Sequence, residues 1–170
     1  MTLPLRTLFL GAFLLLLVAC RSESDGGRTP PPPLPVALHE FGVVDSYGVD
    51  SEFYPDEPLL LDPYISDGLF EVYWRASAGR DYTFYLSLGP TRDIEDSVLV
   101  YTEDCGSGQV CRSEGYSICQ YSSDFYLGCA DDSDKDISEL FTQVPERLYL
   151  FAEVCDIRTC NYEHRAVTFY

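Results

Sequence analysis

The chain has little positive charge. Its 170 residues include 11 Lys and Arg against 28 Asp and Glu, which gives a net charge of −17, and Lys135 is its only lysine. Binding to nucleic acid needs a basic surface that displaces counterions from the phosphates, so this composition argues against a nucleic-acid partner. Only two histidines, His39 and His164, are available for imidazole chemistry.

Long hydrophobic runs are also absent. The most apolar stretch, from Leu8 to Ala19, is shorter than the roughly 20 residues that a membrane-spanning helix needs. It follows Arg6 and ends in small residues, which is the layout of a secretory signal peptide. With 46% apolar residues, the chain is long enough for one globular domain of ordinary size.

The end of this leader, Leu17-Val18-Ala19-Cys20, resembles the lipobox of bacterial lipoproteins. The resemblance implies that residues 1–19 are a cleaved signal peptide and that the Cys20 thiol carries a lipid with acyl chains such as palmitate. Arg21 stands where an Asp would retain such a protein in the inner membrane, so the resemblance implies an outer-membrane location. The periplasmic and the outside face both remain open. The alternative is an ordinary secretion signal in which the cysteine occurs by chance.

The rest of the chain divides into a tether and one domain. Residues 20–35 contain the proposed lipidated cysteine and a Pro-rich run that favours an extended spacer. Residues 36–170 alternate apolar and polar side chains with period two. They predict an all-β domain, an antiparallel β-sandwich (jelly-roll or immunoglobulin-like) of about eight strands with one short helical turn. The predicted strands are 39–46, 69–76, 82–88, 97–103, 116–121, 125–130, 148–155 and 163–169.

The clearest alternation predicts a β-hairpin. In residues 69–76 it places Trp74 on one face with the other apolar residues and Tyr73 on the opposite face. Residues 77–80 have turn composition, and residues 82–88 alternate again, so the two strands are expected to pair with each other.

One segment has helical spacing. Ile137, Leu140, Phe141 and Val144 recur at i, i+3, i+4 and i+7, which predicts a short helical turn. Asp136 and Glu139 before and within it have the spacing of a capping pair, and Pro145 ends it.

Six cysteines remain after Cys20, and an even number in an exported domain indicates disulfides. Fifteen connectivities are possible for six cysteines. We expect neighbours to pair, because each pair then closes a short loop: Cys105–Cys111, Cys119–Cys129 and Cys155–Cys160. The alternatives are a zinc site, for which only Cys155 and Cys160 have nearly suitable spacing, and a catalytic thiol.

The segments GLFEVYWRASAGRDYTFYLSL, EDSVLVYTEDCG and VPERLYLFAEV together resemble the bacterial pre-peptidase C-terminal domain, a small β-sandwich. The resemblance covers residues 69–170. The chain departs from that pattern at Arg147-Leu148, where a glycine is usual, and at Glu95-Asp96-Ser97, where Asp-x-Asp is usual. The resemblance implies a non-catalytic accessory domain of a kind linked to binding polymers or calcium.

Asp132, Asp134 and Asp136 alternate like the first ligands of a calcium loop. An EF-hand is excluded because Ile137 and Gln143 occupy the positions that require glycine and glutamate. A looser calcium site remains the only cofactor that the sequence suggests, and the alternative is a solvated acidic loop.

Aromatic residues are abundant, with 13 Tyr and 10 Phe. Tyr73, Tyr85 and Tyr101 are expected on outward faces or on strands packed from both sides. On an outward face, rings beside carboxylates would suit a sugar or a protein partner. The alternative is that loops cover both faces of the sandwich.

From the sequence we therefore expect an outer-membrane lipoprotein with a non-enzymatic binding or envelope-support role. Its partners are the membrane, through the lipid, and an unidentified protein or glycan. One alternative is an acidic inhibitor of a cationic envelope-degrading enzyme, since the negative charge would attract a basic partner. The other is a carbohydrate-binding module with an aromatic face.

Overall fold

The computed structural model describes residues 32–106, 111–130 and 134–170. The compact unit that contains all the strands runs from Pro33 to Tyr170. In chain order the strands are β1 (Ala37–Val44), β2 (Leu59–Leu61), β3 (Leu69–Ser77), β4 (Tyr82–Gly89), β5 (Val98–Cys105), β6 (Tyr116–Tyr121), β7 (Tyr126–Cys129), β8 (Lys135–Asp136), β9 (Glu146–Cys155) and β10 (Cys160–Phe169). Three short 3-10 helices, Ser66–Gly68, Ile94–Asp96 and Ser138–Leu140, lie between them.

The strands form two five-stranded sheets. The first sheet has the order β1-β3-β6-β7-β8, and the second has the order β2-β10-β9-β4-β5. Neighbouring strands are antiparallel except for β2, which runs parallel to β10. The predicted β-sandwich class is confirmed, and each of the eight predicted strands has a counterpart. The two additional strands, β2 and β8, have three and two residues, too few to show an alternating pattern.

The core lies between the two sheets, and the alternation of β3 decides which side chains enter it. Trp74 of β3 and Phe84 of β4 stack with ring centroids 3.7 Å apart and an angle of 6° between their planes. Contacts between buried aromatic rings add about 0.5–1.5 kcal/mol to the free energy from burial. Tyr73, the neighbour of Trp74, faces outward from the first sheet, as predicted.

The predicted hairpin of β3 and β4 is wrong. β3 pairs with β1 and β6 in the first sheet, whereas β4 pairs with β5 and β9 in the second. The connection over residues 78–81 therefore crosses from one sheet to the other. Each strand buries one face in either arrangement, so the alternation alone does not distinguish pairing within a sheet from packing between sheets.

The six described cysteines pair in the predicted connectivity. Cys105 is bonded to Cys111, whereas the other two disulfides join directly opposed residues of adjacent strands. Those two bonds are Cys119–Cys129 between β6 and β7 and Cys155–Cys160 between β9 and β10. Thiols oxidised to disulfides offer neither a thiolate ligand for zinc nor a nucleophile, so both alternatives fail for these six residues.

The helical segment is shorter than its spacing predicts. Only Ser138–Leu140 forms a 3-10 turn. Ile137, just before the turn, is buried, whereas Val144, after it, is 49% exposed. The Asp136 carboxylate accepts a hydrogen bond from the Ser138 amide at 3.0 Å, as expected for an aspartate at the start of a turn. The strand β9 begins at Glu146 and leaves no room for a second helical turn.

The chain enters the domain beside the β3–β4 connection, where the Gly79 amide donates a hydrogen bond to the Leu34 carbonyl at 3.2 Å. Pro32 to Pro35 is the described part of the predicted tether, and these residues are exposed. The predicted signal peptide, Cys20 and the rest of the tether lie outside the described residues. Within the described ranges, no helix is long and apolar enough to cross a bilayer.

Candidate functional site

The outer face of the second sheet carries a row of three side chains. β9 lies between β4 and β10, and Glu153 of β9 is directly opposite Tyr85 on one side and Tyr162 on the other. Their neighbours Phe84, Ala152 and Val154 are fully buried in the core, so alternation directs the three away from it. Side chains at opposed positions have Cβ atoms about 5 Å apart. We call this arrangement the Tyr–Glu–Tyr row.

Glu153 is partly buried, and this burial raises the pKa of its carboxyl. Among the described residues, no hydrogen bond or ion pair satisfies its carboxylate. A carboxylate that loses water without gaining a partner destabilises the folded state. Such a group is a candidate for function, because a ligand with a positive charge or hydroxyl groups would supply the missing partner.

A second aromatic layer supports the row. Phe151 is fully buried although it faces outward, and it packs against the His164 ring with centroids 5.7 Å apart. Gly89 lies close to this ring and to Ser97, since a Cβ added to Gly89 would meet both Ser97 and the Phe151 ring within 3.4 Å. Burial lowers the pKa of His164, and the positive charges of Arg92 and Arg165 lower it further, against the opposing effect of Glu163. The His164 ring is therefore neutral at pH 7, and it packs beside the row as an aromatic side chain.

The row continues into an acidic groove at the end of the sheet where the chain enters. This groove has a volume of about 650 Å³, and none of its described lining residues is Lys or Arg. The Asp156 carboxylate accepts hydrogen bonds from the Arg158 and Thr159 amides, which lower its pKa, and the Arg80 guanidinium 3.9 Å away lowers it further. Asp104 accepts a hydrogen bond from the Thr83 hydroxyl at 3.0 Å. The lining residues are Asp81, Tyr82, Thr83, Tyr85, Asp104, Cys105, Gly106, Cys155, Asp156 and Ile157.

The three predicted tyrosines do not form one binding face. Tyr85 lies on the outer face of the second sheet, whereas Tyr73 lies on the opposite outer face, that of the first sheet. The Tyr73 hydroxyl donates to Asp50 at 2.7 Å and approaches Glu52 at 3.2 Å, and burial together with these carboxylates raises its pKa. Tyr73 is therefore already engaged within the domain.

Tyr101 points into the core, so its prediction as an outward residue is wrong. A β-bulge between β4 and β5 pairs it with the inward-facing Leu86, and it is only 8% exposed. Its hydroxyl donates to Glu103 at 3.1 Å. A bulge inserts one extra residue, so every later side chain changes face, and this shift is absent from the pattern of any single strand.

The structure describes two of the three predicted calcium ligands. Asp134 and Asp136 are exposed, while Asp132 lies outside the described residues. Hydrogen bonds from Ser138 lower the pKa of Asp136, which places this carboxylate at the start of the 3-10 turn. The calcium site stays a prediction, as does the lipidation of Cys20.

Sequence reasoning missed Glu153 and Tyr162. The available signal was a single acidic residue within the otherwise apolar segment from Leu148 to Val154 of β9. The position of Tyr162 opposite it follows only from the pairing of β9 with β10.

Fold and site together define a disulfide-linked β-sandwich with an aromatic and acidic outer face. No protein-family model matches the chain, and no curated protein or solved structure is significantly similar to it.

Proposed function

We propose that the chain is a non-enzymatic lipoprotein of the bacterial outer membrane whose β-sandwich binds a basic segment of a protein partner. The observation that carries this proposal is the unpaired, partly buried Glu153 carboxylate between Tyr85 and Tyr162. The lipobox at Leu17–Cys20 supports the membrane anchor.

The row is chemically suited to a cationic side chain. A lysine or arginine placed over Glu153 would gain a charge-assisted hydrogen bond there. The faces of Tyr85 and Tyr162 would add cation–π attraction. The groove beside the row is lined by Asp81, Asp104 and Asp156, and the Arg80 guanidinium lies 3.9 Å from the Asp156 carboxylate and offsets part of this charge. The remaining negative charge would attract further basic residues of the same segment.

The net charge of −17 supports the same partner class at longer range. A strongly acidic surface steers basic proteins toward it and raises their association rate. This attraction extends about 8 Å at physiological salt. The negative charge of the protein would therefore raise the rate at which a basic partner associates, and the Tyr–Glu–Tyr row would provide the specific contacts. An inhibitor of a cationic envelope-degrading enzyme is one form of such a binding protein.

The test separates the row from the general field. We would measure binding of a fluorescent Arg- and Lys-rich peptide to the oxidised protein and to the variants Glu153→Gln and Glu139→Gln. Both substitutions remove one negative charge, but Glu139 is exposed and lies in the 3-10 turn after β8 of the first sheet, whereas the row is on the second sheet. We expect Glu153→Gln to weaken binding by about tenfold or more, as for a lost hydrogen bond between charged groups, and Glu139→Gln to change it little. Equal effects of the two variants would reduce the proposal to non-specific charge attraction.

A second candidate is carbohydrate binding at the same row. Two tyrosine rings flanking a carboxylate offer stacking faces and a hydrogen-bond acceptor for sugar hydroxyls. Neutral envelope glycans distinguish the candidates, because their binding would be insensitive to salt and would be lost in Tyr162→Ala. Tyrosine fluorescence that stays unchanged across a panel of such glycans would contradict this candidate.

A further inference from the structure

A group of exposed tyrosines lies around Asp62 at one end of the sandwich. The Tyr47 hydroxyl donates to one oxygen of the Asp62 carboxylate at 3.0 Å, and the Tyr64 amide donates to the other at 2.9 Å. The Tyr170 amide donates at 2.9 Å to the carbonyl of Leu61, the residue before Asp62. Tyr47, Tyr64 and Tyr170 are 52%, 81% and 44% exposed. We call Asp62 and these three tyrosines the tyrosine cluster.

A buried tyrosine forms the base of the tyrosine cluster. Tyr121, at the end of β6, is 1% exposed, and its ring packs edge-on against Phe169 with centroids 4.9 Å apart. Its hydroxyl is 3.4 Å from the Tyr170 carbonyl oxygen. Burial, together with the nearby side chains of Asp62 and Tyr64, raises the pKa of Tyr121 to about 12. The cluster therefore rests directly on the aromatic core.

Tyr47 is held in place at both its backbone and its hydroxyl group. Its amide donates to the buried Asp45 carboxylate at 2.9 Å, and this carboxylate accepts two further backbone amides. The hydrogen bond to Asp62 raises the pKa of the Tyr47 hydroxyl, and burial and the nearby Tyr170 side chain raise it further. A side chain that is already ordered loses little conformational entropy when a ligand binds to it.

The tyrosine cluster lies at the opposite end of the sandwich from the point where the chain enters. Tyr121 follows Gln120, which pairs with Leu69 at the start of β3. Gly79, whose amide contacts Leu34, comes just after the end of β3. This strand has nine residues, so its two ends are roughly 26 Å apart. The entering chain therefore leaves the cluster open to a large ligand.

The chemistry of the tyrosine cluster suits an uncharged sugar. An ionised carboxylate has about four acceptor positions, and Asp62 uses two of them within the described residues, so it can accept hydroxyl groups of a ligand. Tyrosine rings offer an apolar face for the C–H groups of a sugar and a polar hydroxyl at one end. The negative charges of Asp45 and Asp62 would repel phosphate and carboxylate groups.

We propose that the tyrosine cluster binds a neutral glycan, with one sugar ring stacked on Tyr64 and sugar hydroxyl groups donating to Asp62. A protein partner fits less well, because a stable protein interface covers about 800 Å² on each side, far more than three side chains present. The cluster shares no residue with the Tyr–Glu–Tyr row and does not depend on the function proposed for it.

The test uses two neutral glycans, cellotetraose and chitotetraose, and the anionic tetragalacturonic acid, with binding followed by NMR shifts of the oxidised protein. We expect at least one neutral glycan to shift the signals of Tyr47 and Tyr64. The anionic glycan is expected to bind about tenfold or more weakly, because its carboxylates approach Asp62. No shift at the cluster with either neutral glycan, or equal binding of the anionic one, would overturn the proposal.

Variants then assign the contacts, and urea denaturation confirms that each one is folded. Tyr64→Ala should weaken binding about fivefold or more, whereas Tyr64→Phe keeps the ring and should retain most of it. Asp62→Asn should weaken binding about tenfold. Tyr126→Ala is the matched control, since Tyr126 is 43% exposed on β7 of the first sheet, and it should leave binding unchanged. Tyr162→Ala, in the Tyr–Glu–Tyr row, should also have no effect. Unchanged binding in folded Tyr64→Ala would refute the assignment.

Discussion

Phe84 and Tyr85 are adjacent on β4 and point to opposite sides of the second sheet, so replacing each by alanine tests the facing of the whole sandwich. Phe84 is fully buried and stacks on Trp74 at 3.7 Å. Truncating such a phenylalanine to alanine lowers the free energy of unfolding by about 3–5 kcal/mol. We expect a value near the upper end of that range, because the contact with the Trp74 ring is lost as well. The free energy of unfolding of a small domain is only about 5–15 kcal/mol, so Phe84→Ala is expected to remove a large part of the stability. Tyr85 lies on the outer face, and Tyr85→Ala should cost less than about 1 kcal/mol.

The assay is urea denaturation of the oxidised protein, followed by circular dichroism and by the fluorescence of Trp74, the only tryptophan. Phe84→Ala should lower the midpoint strongly with little change in slope, whereas Tyr85→Ala should stay close to the unmodified protein. Binding of the basic peptide should respond in the opposite order when measured under folding conditions. Comparable losses of stability in both variants would refute the assignment of Phe84 to the core and of Tyr85 to the binding face.

Three further outcomes are expected. Glu153→Gln should raise the free energy of unfolding at pH 7, because burial raises the pKa of this carboxyl and penalises its charged form; the gain, measured by urea denaturation, should shrink as the pH falls through the folded pKa toward about 4.3. His164→Gln should flatten the loss of stability below about pH 6.5, because the pKa of His164 is lowered by burial and the unfolded chain takes up the proton first. Replacing Cys119 and Cys129 by serine should cost about 2–3 kcal/mol, since their sequence separation of 10 closes only a short loop in the unfolded chain.

Each of these three has an outcome that would contradict it. An unchanged or lower stability of Glu153→Gln at pH 7 would show that its charge has a partner in the folded protein. If the free energy of unfolding of His164→Gln and of the unmodified protein depends on pH in the same way, His164 does not contribute to the loss of stability in acid. Loss of all folding without the Cys119–Cys129 bond would mean that this disulfide does more than close a loop.

Local features were predictable because they depend on residues that are close in sequence. The alternation of β3 and the short separations of the three disulfides are of this kind, and both predictions are confirmed. The β3–β4 hairpin failed because a short connection joins strands within a sheet and between sheets equally well. Tyr101 was misplaced because a bulge opposite Leu86 shifts its register, which depends on the partner strand.

The sequence by itself determined the β-rich class and the excess of negative charge, since the alternation of apolar residues and the composition set these. The short cysteine spacings favoured neighbouring pairs among fifteen possible connectivities, and the structure decided the pairing. The tertiary structure alone decided which carboxylates and rings meet. Glu153 lies between Tyr85 and Tyr162 because two long-range strand pairings bring them into register. A cleft lined by several residues of the 51–59 segment likewise includes Arg147 of β9 and Thr168 of β10, nearly a hundred residues further along the chain. Such contacts arise when the whole core is packed, because only then does burial fix the order and register of the strands.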